Sequence, residues 1–181
     1  MKKLIFLAIF PLLFSNLTAQ NEADEIDENS KYHEFDFWIG EWEVYRTGTK
    51  DLLGYSTIES IIGGFAVQES YRSSRSKYSG TSINKYNQAT DQWEQYWVDN
   101  TKLTLHLKGN KVGNQMILVN IMETNDGSIG NRITWTNHED GTVQQVWEQS
   151  PDKGESWSKI FDGTYKKKKE KKEKKSRKSK D

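Results

Sequence analysis

The sequence predicts an all-β fold, an antiparallel up-and-down barrel of about ten strands. Three observations carry that prediction. The apolar material is mostly aromatic, with 7 Trp, 8 Tyr and 7 Phe in 181 residues, and flat rings pack well on a pleated sheet. Short runs of period-2 alternation recur between turn residues from about Tyr32 to Tyr165. Finally, no long segment shows a helical period. An open sheet of that many strands would leave two long exposed edges, and closing it removes them, which favours a barrel over a two-sheet sandwich.

The runs follow one another in order. WIGEWEVYR (38–46) is closed by TGTKD, and GYSTIESI (54–61) is joined to FAVQESYRS (65–73) across Gly63 and Gly64. SGTSINKYN (79–87) and QWEQYWVD (92–99) come next. KLTLHLKG (102–109) places Leu103, Leu105 and Leu107 on one face, taken as the interior, so His106 points away from it. NQMILVNIME (114–123) is the most apolar run and ends in Asn125-Asp126-Gly127, a strong hairpin signal. NRITWTN (131–137) and TVQQVWEQ (142–149) are linked by a loop in which Asp140-Gly141 supplies positive φ. WSKIFDGTY (157–165) is last.

The two ends differ from this body. MKKLIFLAIFPLLFSNLTA (1–19) reads as a secretory signal peptide, with Lys2 and Lys3, a short apolar stretch and a cleavage position after Ala19. That stretch is well short of the ~20 residues that span a bilayer, so no transmembrane segment is expected after cleavage, and the product is expected to be periplasmic or secreted. Residues 20–32 read as an acidic, solvated linker, 33–165 as the barrel domain, and 166–181 as a Lys-rich disordered tail. The tail has 11 basic against 3 acidic residues, a net of +8, while residues 20–165 carry 13 basic and 23 acidic, a net of −10. A formal net charge of zero therefore conceals an acidic body and a basic end. Such a tail suits an anionic envelope polymer, with attraction that fades in salt; it lacks the interleaved aromatics of a single-strand nucleic-acid platform. With no Cys, thiol catalysis and Cys-built metal sites are excluded.

Between the last two runs lies SPDKGESW (150–157), an instance of the Asp-box pattern Ser-x-Asp-x-Gly-x-x-Trp found in sialidases and other secreted β proteins. A hairpin connection is needed here. Asp152 can accept backbone N–H groups, Gly154 can supply a left-handed φ, and Trp157 can cover the loop base beside Ser150. Each residue then has a structural task, and the motif reads as a turn.

Candidate ligand contacts are Trp42, Glu69, Trp93, Gln95, Trp97 and Trp135. Trp93, Gln95 and Trp97 share one strand face, which suits a flat amphipathic ligand stacked on indoles and oriented by the amide. The competing reading, and the expectation here, is that both indoles fill the barrel. Trp42 is expected to plug one barrel end. Glu69 shares a face with Val67 and Tyr71; inward it would need a partner or a raised pKa, and outward it is simply solvated, which is the expectation. His33, His106 and His138 lack metal-ligand spacing, no Gly-x-Ser-x-Gly elbow occurs, and no cofactor, metal or catalytic residue is expected.

Four motifs, HEFDFWIGEWEVY with its Gly40-Glu41-Trp42, Gly80-Thr81-Ser82-Ile83-Asn84-Lys85-Tyr86, Trp93-Glu94-Gln95-Tyr96-Trp97-Val98-Asp99 and the Asp-box, occur in order over residues 33–165. Together they resemble an uncharacterised bacterial family of secreted calycin-like (lipocalin-like) barrels. The resemblance implies a fold and no settled activity. Lipocalins proper place an Arg of the last strand over the Gly-x-Trp ring, and the last run here offers Lys159. The functional expectation is a non-enzymatic barrel holding a small amphipathic ligand; the alternative is a fully packed barrel tethered to an envelope polyanion by its basic tail.

Overall fold

The computed structural model describes residues 30–125 and 127–168. The expected leader, the linker up to residue 29, the turn residue Asp126 and the segment 169–181 lie outside the described residues. From Tyr32 onward the chain builds ten strands: β1 (Gly40–Arg46), β2 (Leu52–Ile61), β3 (Ala66–Ser73), β4 (Ser79–Asn87), β5 (Gln92–Asp99), β6 (Thr104–Val112), β7 (Gln115–Thr124), β8 (Gly127–Asn137), β9 (Val143–Ser150) and β10 (Ser158–Lys167). Each pairs antiparallel with its neighbours in sequence, and β10 returns to β1, so the sheet closes into an up-and-down barrel. Alternation sets the inward face, as a period of two requires: Trp42 and Val44, Trp93 and Gln95, Leu105 and Leu107, Met116 and Leu118 are all buried.

The closure reaches past the compositional boundary at residue 166. Val44 pairs with Tyr165, Glu43 with Lys166 and Trp42 with Lys167. The Lys168 backbone N–H then donates to the Glu41 carbonyl at 2.9 Å, and its ammonium pairs with the Glu41 carboxylate. Ladder bonds are made by backbone groups, so lysines extend a strand as long as their side chains reach water.

One barrel end is filled by the segment before β1. The sequence suggests a strand from Trp38, but Asp36–Trp38 is a 3₁₀ turn and the strand starts at Gly40. In that turn, residues three apart lie on one side. Phe35 and Trp38, both fully buried, therefore stack together with centroids 5.1 Å apart and enter the barrel as a pair. Trp135 and Trp93 meet the Phe35 ring edge-on. Trp42 donates its indole N–H to the Trp38 carbonyl at 2.8 Å, so it holds the plug in place. The cation over the Trp42 ring is the Lys167 ammonium, 5.4 Å from the centroid; Lys159 is engaged elsewhere, with Asp162.

Candidate functional site

Strand β1 runs from Gly40 beside the plug to Arg46 at the other end, and there the barrel is hollow. A cavity of about 550 Å³ is lined by Tyr71, Tyr78, Trp97, Trp147 and Phe161, with Leu53, Leu105 and Ile133 between them. Its inner end is polar: Glu69, Gln95, Gln145 and Tyr165 also line it. The hollow follows from residue size. On β2 and β4 the inward positions carry Ser56, Ser82 and Asn84, where other strands carry Leu, Met or Trp. Glycines let the wall rings lie flat against backbone: a Cβ on Gly80 would meet the Trp97 ring at 2.2 Å, and one on Gly54 would meet the Tyr71 hydroxyl at 2.5 Å.

Glu69 stands inside this barrel, only 3% exposed, which corrects the expectation of a solvated side chain. Its register explains the placement, because Val67 two residues earlier is also buried and Glu69 pairs with Ile58 and Ser82. A carboxyl group taken out of water needs partners. Ser56 Oγ donates to Oε1 at 2.9 Å, Ser82 Oγ reaches Oε2 at 3.4 Å, and the Tyr165 hydroxyl lies 3.4 Å from Oε1. Among the described residues no Lys, Arg or His pairs with it. Burial pushes the Glu69 carboxyl up to about 7, although the three hydroxyls favour its charged form. Burial first and then the Glu69 charge hold the Tyr165 phenol well above its ordinary value.

The polar inner end is a directed network. Gln95 Nε2 donates to Asn84 Oδ1 at 2.8 Å, Asn84 Nδ2 donates to Ser82 Oγ at 3.0 Å and to the Val67 carbonyl at 3.1 Å, and Ser82 turns its hydroxyl to Glu69. The Tyr165 hydroxyl has a closer acceptor in Gln145 Oε1, at 2.5 Å, than in Glu69. Among its fully buried polar atoms, the one without a partner is an acceptor, Gln95 Oε1.

The other predicted residues separate. Trp93 is fully buried and fills the barrel, its indole N–H donating to Glu34 at 3.2 Å. Trp97 is half-buried on the cavity wall with its N–H near Asp99, so the expectation that both indoles fill the barrel holds for Trp93 alone. Trp42 and Trp135 pack into the plugged end and do not line the cavity. His106 lies on the outer face, bonded to Glu94 at 2.7 Å and stacked on Tyr96.

Ser150, Asp152, Gly154 and Trp157 form the β9–β10 connection. Ser150 Oγ accepts the Gly154 N–H and donates to Asp152 Oδ1, which also accepts the Ser156 N–H at 2.8 Å. Ser156 donates from both its hydroxyl and its backbone, and with Ser150 it holds the Asp152 carboxyl down at about 2. Gly154 has φ +93°, and the Trp157 N–H closes on its carbonyl at 3.0 Å. Arg132 covers the Trp157 ring from 4.4 Å.

Sequence reasoning missed Tyr165, Gln145, Ser56, Ser82 and Asn84 as one cluster, and missed the mouth of the cavity. At the mouth Arg46 and Arg75 share Asp51, and Lys159 pairs with Asp162 at 2.7 Å. The small inward residues of β2 and β4 were the available signal. In comparisons with protein-family models and with curated proteins, nothing matches the chain.

Proposed function

We propose that this protein is an exported, non-enzymatic calycin-like barrel that binds a small amphipathic ligand in the cavity. The observation that carries the reading is the pairing of aromatic walls with a buried polar inner end around Glu69 in about 550 Å³. Cavities of that size and mixed lining suit small molecules, whose apolar body packs on rings while a few polar groups fix orientation.

Native mass spectrometry of the protein purified without denaturation, joined to a titration with an environment-sensitive apolar dye, tests the reading. The expected result is a small-molecule adduct or dye uptake that Trp97→Ala weakens by about two- to tenfold, the effect of one lost aromatic contact. A protein that takes up neither would contradict it.

A further inference from the structure

The donors and acceptors at the inner end of the cavity do not balance. Ser56, Ser82 and Tyr165 spend their hydroxyl protons on Glu69 and Gln145, and the Asn84 and Gln95 amide N–H groups are bonded within the network. Gln145 keeps its amide N–H groups at the same end, and the groups left to receive something are the Glu69 carboxyl and Gln95 Oε1. With Glu69 ionised both of these are acceptors, and among the described residues Glu69 has three hydroxyls around it but no cation. A ligand ending in a carboxylate would meet oxygen against oxygen there. A plain hydrocarbon end would leave Gln95 Oε1 unsatisfied, at a cost of about 1–3 kcal/mol.

We propose that the ligand is an organic cation with a flat apolar body, whose protonated amine is received by Glu69. This rests on the cavity being the binding site. The aromatic walls serve the same ligand, because ring faces attract cations as well as apolar surface. The mouth does not oppose entry strongly: Arg46 and Arg75 are partly neutralised by Asp51, and Lys159 by Asp162.

Proton balance follows from the groups that face Glu69. These are Ser56 from β2, Tyr71 on its own strand, Ser82 from β4, Tyr165 from β10, and Tyr78 just before β4. The three phenols are held above their ordinary value by burial first, so they keep their protons when Glu69 ionises. In the free protein Glu69 carries a proton below about pH 7. An incoming ammonium keeps its own protons, and Glu69 releases its proton to solvent. Binding of a cation therefore strengthens as pH rises.

Tryptamine and its uncharged counterpart tryptophol serve as probes, titrated calorimetrically into wild type and Glu69→Gln at about pH 6 and about pH 8. Tryptamine is expected to bind wild type about tenfold or more tightly than tryptophol at the higher pH, and to weaken by about tenfold at the lower one, as linkage through a group near 7 requires. Glu69→Gln is expected to erase the preference for tryptamine over tryptophol. Equal binding of the two probes by wild type would overturn the cationic assignment and leave the cavity reading standing. Failure of both probes would overturn both. The pH dependence in wild type is read without the variant, so a folding defect in Glu69→Gln does not remove the test.

Discussion

Ser56 donates its hydroxyl to Glu69 Oε1 across 2.9 Å, from the neighbouring strand and 13 residues away in sequence. The bond keeps a carboxyl group inside a barrel where, among the described residues, it has no counter-ion, and stability then depends on pH. An unfolded Glu ionises near 4.5, whereas folded Glu69 holds its proton to about 7. Between those values the folded state binds more protons, so its stability falls as pH rises. The contribution is fully present below about 4.5 and lost by about 7, a change of roughly 3 kcal/mol. Urea denaturation of wild type and Glu69→Gln across this window should show the variant gaining on wild type as pH rises. Parallel curves would contradict it.

Trp38 is fully buried between Phe35, Trp135 and Tyr165, in a turn that precedes the barrel proper. Trp38→Ala should cost about 3–5 kcal/mol, as truncation of a large core aromatic does. Chemical denaturation measures the loss, and an effect below about 1 kcal/mol would mean the segment frays without harm.

Gly80 tests whether the wall of the cavity depends on close ring-to-backbone contact. In Gly80→Ala the new Cβ would meet the Trp97 ring at 2.2 Å and the Val98 carbonyl at 2.8 Å, so the indole must move. The variant should fold, with a cost of about 1–3 kcal/mol for overpacking, and its ligand or dye affinity should drop by several-fold. Near-ultraviolet circular dichroism reports the displaced indole; an unchanged spectrum and affinity would show that Trp97 does not form that wall.

The Asp-box hairpin should be separable from binding. Gly154→Ala places an L-residue at φ +93° and brings its Cβ to 3.3 Å from the Trp157 ring. A cost of about 1–3 kcal/mol is expected in thermal or urea melts. Ligand affinity should stay within about twofold, since none of the four turn residues lines the cavity. A large loss of affinity would assign the motif to the site.

Strand order and number were legible because inward apolar residues alternate with outward polar ones, and turn residues separate the runs. Two features were not. The lysines at 166 and 167 look like tail because composition is blind to backbone pairing, yet they close the barrel against Glu43 and Trp42. Glu69 looks solvated because its partners are scattered: Ser56 and Ser82 lie 13 residues away on either side, and Tyr165 lies 96 away. No local pattern marks a carboxyl held by distant hydroxyls. The nearest signal was negative, a row of small residues where a filled barrel needs large ones. The plug was half legible: the aromatics of FDFW were plain, but the alternation from Trp38 onward suggests a strand there, whereas Trp38 ends a 3₁₀ turn three residues after Phe35.

The titration of Glu69 itself tests the central claim most directly. Its side-chain carboxyl carbon, followed by nuclear magnetic resonance in the ligand-free protein and assigned by its absence in Glu69→Gln, should move with a midpoint near 7. A midpoint near the ordinary 4.5 would place the side chain in water, shift the register of β3 by one residue, and remove the polar inner end on which ligand recognition depends.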